Sequence, residues 1–383
     1  MMHRFRNPLI LCLTTGLTLA LARKAGAQVT SASGYTPPDD TPKVNVGGVI
    51  FADYTYQDVP TGKDAAGNVI HQNSFNLSRS YINITGNISH WVSFRVTPDI
   101  TRQTLTTAAA GTSLSTDGSL VFRLKYAYGQ VNFDDVLPGT WLRFGQHQTP
   151  FIDYEEGIYR YRFQGTIFME REGPGGSGSF LSSSDVGLSS RVLFPADYGE
   201  IHLGVYNGEG YTKPEANDQK AFQVRLSVRP APMIPILKGL RLTGFYDGDH
   251  YVKDAKRERF IGSFTFEHPY VNVGFDYLSA KDQTLPTKAE VRADGFSGWI
   301  TPRTPIGVEA LIRYDQFKPN KDASGKKERQ IWGVSYWFPV TKTGIAAALL
   351  ADYENVKYVG FPAGNANAKP QEKRYALHTL FNF

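Results

Sequence analysis

The stretch Leu120-Val121-Phe122-Arg123-Leu124-Lys125-Tyr126 sets apolar or aromatic side chains at the even positions and the cations Arg123 and Lys125 at odd ones. Alternation with a period of two describes a β-strand with one apolar and one polar face. The same rhythm returns at Phe222, Val224, Leu226 and Val228, interleaved with Gln223, Arg225, Ser227 and Arg229. It returns again at Val271, Val273, Phe275 and Tyr277 around Asn272, Gly274 and Asp276. Working outward, similar segments cover 43–57, 74–88, 91–100, 119–133, 140–149, 183–194, 199–207, 220–229, 239–247, 258–268, 270–280, 290–301, 306–317, 328–338, 343–357 and 372–383. That is sixteen strands, with no convincing amphipathic helix between them.

The connections alternate between short turns, such as Ser89-His90 and Pro269, and long polar loops at 58–73, 101–118, 150–182, 208–219, 248–257, 281–289, 318–327 and 358–371. Sixteen apolar faces cannot all meet in one soluble core while the opposite faces carry Arg, Lys, Asp and Asn. Apolar faces turned to lipid and polar faces turned to a wet lumen resolve the conflict. The expected fold is therefore an all-β, 16-stranded antiparallel transmembrane β-barrel with short periplasmic turns and long extracellular loops, rather than a soluble sandwich or propeller. Tyr54, Tyr56, Tyr126, Tyr128, Tyr277, Tyr336, Trp337 and Phe338 lie near strand ends, where interfacial girdles are expected.

Composition narrows the function. The chain has 383 residues and one cysteine, Cys12, which excludes a disulfide scaffold and any cysteine-based metal or redox site. His3, Arg4 and Arg6 precede an apolar stretch from Pro8 to Ala22 and the small-residue site Ala25-Gly26-Ala27, the pattern of a cleaved secretory signal over residues 1–27. Its removal takes four cations and leaves a net charge near +1, so nucleic acid is not an expected partner. Residues 28–42 read as a short linker and 43–383 as the barrel domain.

The terminal run Tyr375-Ala376-Leu377-His378-Thr379-Leu380-Phe381-Asn382-Phe383 resembles the last strand by which bacterial outer-membrane barrels are recognised for assembly. Phe75-Asn76-Leu77-Ser78-Arg79, Trp91-Val92-Ser93-Phe94-Arg95, Leu142-Arg143-Phe144-Gly145-Gln146-His147-Gln148-Thr149-Pro150-Phe151, Val205-Tyr206-Asn207-Gly208 and Ile312-Arg313-Tyr314-Asp315 are similar to segments of the phosphate-selective porin O and P family. The resemblance implies a trimeric channel in the outer membrane of a Gram-negative bacterium. Its partners would be outer-membrane lipids, small hydrophilic solutes or anions, and the barrel assembly machinery through Phe383. By likeness to porins, the loop 150–182 folds inward and narrows the pore, bringing Arg160, Arg162 and Arg171 beside Asp153, Glu155 and Glu156.

A sixteen-stranded barrel is expected to enclose an aqueous lumen, giving diffusion of small solutes with no cofactor, no metal and no catalysis. Strand phase puts Arg79, Arg95, Arg123, Lys125, Arg143, Arg191, Arg225, Arg229 and Arg241 on the lumen face, with Asp185 the clearest acid among them. Such a wall favours anions, and guanidinium groups match phosphate bidentately. Glu267, Asp276, Glu309 and Asp315 point inward from the later strands and would oppose it. Two other classes stay open, an outer-membrane enzyme and a loop-displaying adhesin. The eight histidines suggest no catalytic grouping with Ser and a carboxylate. The glycine run 173–178 lacks the lysine of a phosphate-binding loop, Asp247, Asp249 and His250 read as a solvated turn, and three glycosylation sequons near 76–89 lie on or beside strands.

Overall fold

The computed structural model describes residues 40–102, 119–340 and 344–383. The signal segment, nearly all of the linker and most of the loop 101–118 lie outside them. Sixteen strands close into one antiparallel barrel: β1 (Lys43–Val59), β4 (Asn73–Asn87), β5 (Val92–Arg102), β6 (Leu120–Asn132), β7 (Trp141–Gln148), β8 (Ser184–Leu193), β9 (Gly199–Tyr206), β10 (Ala221–Val228), β11 (Leu240–Val252), β12 (Ala255–His268), β13 (Val271–Asp282), β14 (Val291–Pro302), β15 (Val308–Lys318), β16 (Lys326–Trp337), β17 (Ala346–Val359) and β18 (Glu372–Asn382). The two-residue strands β2 (Gly62–Lys63) and β3 (Val69–Ile70) pair in the first long loop. Each barrel strand pairs with its chain neighbour, and β18 returns to β1 with Val49 opposite Asn382. At that seam Phe383 exchanges backbone hydrogen bonds with Gly48, and a Cβ on Gly48 would lie 2.7 Å from the Phe383 ring.

Outside, Phe122, Phe144, Leu188, Val205, Phe222, Phe260, Phe275, Trp332 and Phe381 are all exposed, as lipid-facing positions require. Among the described residues no helix is long and apolar enough to cross a membrane. The alternation of short and long connections breaks where β11 meets β12. Where a long loop is expected at 248–257, β11 and β12 run on and join through Lys253 and Asp254, the latter at φ 63°.

Phase also breaks at bulges in the wall. Thr97 pairs with Tyr126 and Pro98 with Leu124, leaving Lys125 unopposed where Pro98 has no N–H to give the ladder. Lys125 and Tyr126 consequently both face inward, and Tyr126 is buried. On β4, Phe51 pairs with Arg79 and Ala52 with Leu77, so Ser78 is the extra residue and it lines the lumen alongside Arg79. The girdle reading therefore needs correction. Tyr277, Tyr336 and Phe338 are exposed on the outside, but Tyr126, Tyr128 and Trp337 turn inward against Lys125, Arg143 and Arg160.

The interior is not a uniform aqueous lumen. The segment between β7 and β8 folds inside the barrel and builds an apolar core there with the inner faces of β11 to β17. It also contains two short helices that alternation did not reveal, α1 (Pro150–Ile158) and α2 (Phe168–Arg171). Pro150 supplies the fixed φ suited to a first helical position, and Phe151, Ile152 and Ile158 are buried.

Candidate functional site: an off-centre passage beside an internal plug

The plug walks around the wall in sequence order. Phe151 meets Phe245 of β11 with ring centroids 5.5 Å apart, and the Tyr154 hydroxyl lies 2.9 Å from Thr265 Oγ1 of β12. Asn272 of β13 donates to the Ile158 carbonyl, and Tyr159 packs on Trp299 of β14. Tyr161 donates to Glu309 of β15 at 2.9 Å, while Phe163 packs against Trp337 and Phe51. The chain then turns back, with Arg313 of β15 donating to the Thr166 carbonyl and Phe168 entering the space above Gly295. A Cβ at Gly295 would stand 2.7 Å from the Phe168 ring, so only glycine admits this close approach.

Ion pairs fasten the plug where apolar contacts end. Arg160 pairs with Glu309 at 3.0 Å and stacks on Trp337 at 3.9 Å. Arg162 pairs with Glu156 of its own segment and stands 3.6 Å from Glu170. Arg171 reaches Glu354 of β17 at 3.5 Å, and Glu172 takes Arg329 of β16 at 2.7 Å. Asp153 stands 4.0 Å from Arg143. Burial opposes ionisation of Glu156, but Arg162 and Lys125 beside it hold its carboxyl below the ordinary value. Burial also draws Arg171 down to about 10 despite Glu354. The six expected loop residues thus all belong to the plug, although Arg160 and Arg171 serve as anchors.

On the opposite side, open space remains between the plug and β18, β1, β4, β5 and β6. One cavity of about 310 Å³ is lined by Phe51, Asp53, Ser78, Arg79, Arg162 and Arg374, among others. A second, of about 170 Å³, is lined by Asn83, Arg95, Thr97, Lys125, Tyr126 and Glu156. Phe51 and Arg162 line both.

The nine expected lumen cations all face inward, but they divide into two groups. Arg79 and Arg123 flank the fully buried Asp99 at 3.2 and 2.6 Å. Arg95 donates to Asn83 and Thr97, and Lys125 sits over the Tyr81 ring at 4.8 Å. These four line or border the open side. Arg143 stacks on Trp141 at 3.8 Å, Arg191 and Arg225 share Glu200, Arg241 pairs with Glu267, and Arg229, just past β10, donates to the Lys238 carbonyl. This second group is buried against acids, aromatics and backbone. The basic wall anticipated from strand phase is therefore diluted by Asp99 and Glu200, whereas Asp185 accepts from the backbone N–H groups of Val186 and Gly208. Asp99 shares the face of Arg95, so the same phase argument reaches it. Arg374 and His378, both lining the larger cavity, follow likewise from alternation in β18.

Asp247 and Asp249 lie on β11 rather than in a turn, and Asp249 pairs with Arg257. His147 Nε2 lies 2.6 Å from Ser189 Oγ, with its other ring nitrogen 2.8 Å from the Gly145 carbonyl. Both side chains are sealed from solvent. A nucleophile must reach its substrate, and this pair has no such access.

No protein-family model and no curated sequence matches this chain. Solved structures do match over almost the whole chain. DcaP, described as an outer membrane channel of Acinetobacter baumannii, aligns with a TM-score of 0.57 at 12% identity, covering 91% of this chain and 100% of that one. Salmonella typhi OmpF, in complex with daunomycin, aligns with a TM-score of 0.58 at 12% identity over 89% and 98%. The outer membrane protein OmpT of Vibrio cholerae, in trimer form, gives 0.55 at 11% over 90% and 100%. At such identities the likeness establishes the fold: a closed 16-stranded antiparallel barrel shared with outer-membrane proteins.

Proposed function

We propose that this chain is an outer-membrane porin, a water-filled channel for passive diffusion of small hydrophilic solutes with a mild preference for anions. The observation that carries the reading is the pair of adjoining cavities between the plug and the β18–β1–β4–β5–β6 wall, bordered by Arg79, Arg95, Lys125, Arg162 and Arg374. Confined cations lower the energy of a passing anion. Asp99, Glu156 and Glu354 hold most of these guanidinium groups on one side, which weakens the field and argues for preference rather than a phosphate trap. The apolar outer wall fits lipid, Phe383 fits recognition by the assembly machinery, and the trimer form of OmpT supports a homotrimer. The short-turn end would face the periplasm. The resemblance to the porin O and P family rests on the motifs quoted above, and no catalysis is assigned.

Planar-bilayer recording under a KCl gradient tests this. Open channels with a reversal potential favouring chloride, little affected by phosphate, are expected. Block by low phosphate would instead mark a phosphate site among these arginines, and absence of channels would overturn the reading in favour of an adhesin or an enzyme.

A further inference from the structure

Around the open side, Asp99, Glu156 and Glu354 each take an arginine. Asp53 of β1 lines the larger cavity and does not. Its two oxygens accept from Asn76 Nδ2 at 2.8 Å and from Ser78 Oγ, both neutral donors, and no lysine, arginine or histidine among the described residues pairs with it. Directly opposite Asp53 in the β1–β18 ladder stands His378, which lines the same cavity and is only 4% exposed. Residues so opposed on one face have Cβ atoms about 5 Å apart. Neither ring nitrogen of His378 is hydrogen-bonded to another part of the protein, and neither is either oxygen of Asp352 of β17, which stands 3.4 Å from His378 Nε2 outside bonding geometry. Buried polar groups without a partner are costly, and in native proteins they mark places where something else bonds them. Asp352, His378 and Asp53 thus form an acceptor-rich patch across the neighbouring strands β17, β18 and β1.

Toward β4 and the plug, the same cavity carries cations. Arg79 of β4 shares Asp99 with Arg123, two guanidinium groups to one carboxylate, and Arg162 enters from the plug. Arg374 is held by Glu354 about 13 Å along β18 from His378, so it does not neutralise the patch. Phe51 and Phe163 close the cavity between the two signs of charge, with ring centroids 6.4 Å apart. A solute bearing one charge meets a like charge on one wall here, whereas a solute bearing both can answer each. We propose that this cavity binds zwitterionic solutes of the α-amino acid class, with the ammonium on Asp53 and His378 and the carboxylate on Arg79 and Arg162. An ammonium brings three N–H donors to the acceptors of the patch, and guanidinium groups donate to carboxylate in pairs. A volume of about 310 Å³ stands at the small end of ligand sites and suits a single amino acid rather than a peptide.

The site rests on the channel reading for its role in passage, but its occupancy can be read without conductance. Isothermal titration of the purified full chain in detergent compares alanine, which carries both charges, with lactate, which carries only the carboxylate, and alaninamide, which carries only the ammonium. Alanine should bind about tenfold more tightly than either, the size of one hydrogen bond to a charged group. Asp53→Asn, which keeps the shape and still accepts from Asn76, should remove the advantage of alanine over lactate. His378→Gln should weaken alanine and leave lactate unchanged, and Arg79→Gln should reduce the advantage of alanine over alaninamide. The comparison of the three probes on the wild-type chain needs no variant to fold. Single-channel recording in KCl, made in parallel, separates the two readings. Alanine preference without channels would overturn the porin reading and leave the site standing. Equal binding of the three probes, tighter binding of lactate or alaninamide, or an alanine preference that survives Asp53→Asn would overturn the site, and open channels alongside any of these would leave the porin reading in place.

Discussion

The two sides of the barrel interior are built on one backbone plan and end as different materials. Facing β11 to β17, the inner residues include Phe245, Ile261, Leu278, Trp299, Leu311, Ile331 and Leu350, all buried against the plug. Facing β1 and β4 to β6, they are Asp53, Thr55, Asn76, Ser78, Arg79, Arg95 and Thr97, around open cavities. Both sides are antiparallel sheet of one barrel, so the inward side chains decide whether a wall becomes protein core or solvent boundary. An arginine on the first side is a structural part, while an arginine on the second is a candidate contact for solute.

Removing the packed side altogether is the strongest way to break this contrast. Deletion of Gly165 to Ser179 takes out α2 and the Phe168 anchor and should raise single-channel conductance several-fold; an unchanged conductance would mean that solute does not pass beside the plug. Arg225→Glu comes next, since it sets a second acid against Glu200 beside Tyr154. Breaking a buried pair this way should cost about 3–5 kcal/mol in denaturant unfolding, with little barrel surviving to be recorded. Phe168→Ala opens a void over Gly295 and should cost a similar ~3–5 kcal/mol, yet ion selectivity should stay as in the wild type. On the open side, Arg79→Glu with Arg95→Glu should reverse the ion preference in a reversal-potential measurement. The smallest effect lies outside the membrane. Asp40 hydrogen-bonds His90, with Asp135 on its other ring nitrogen, which raises the His90 imidazole and lowers the Asp40 carboxyl. A raised imidazole stabilises below its ordinary value near 6.5 and loses that contribution as pH climbs past the raised one. His90→Ala should therefore lower the melting temperature slightly at mildly acidic pH and not at alkaline pH.

Strand number and the inward direction of the nine cations were legible because period-two alternation holds along the strands outside their bulges. Two kinds of information were not. The bulge at Lys125 costs one residue of register and sends Tyr126 and Tyr128 inward, and only the proline on the neighbouring strand hints at it. The plug's seat was hidden by reading each strand for its charges. Phe245 lies between Thr243 and Asp247 on the polar face of β11, as Leu278 follows Asp276 on β13. Apolar residues in the polar phase of consecutive strands mark a wall that something apolar must cover, a signal distributed across strands and invisible within one. Ion pairing was equally hidden, because Asp99 and Glu200 find their arginines through lateral register rather than through sequence spacing.

The long reach of the plug bears on how the chain is built in time. Residues 150–182 follow the fifth barrel strand, yet Tyr161 bonds Ser335 across 174 positions and Asn367 donates to the Gly175 carbonyl across 192. The plug's seat on β11 to β17 therefore does not exist when the plug is synthesised. Such non-local closure is slow, and the apolar plug must wait uncovered until β13 to β17 arrive around it. Seating belongs to the end of assembly, together with the meeting of Phe383 and Gly48, so the step that seals the wall also fixes the width of the opening.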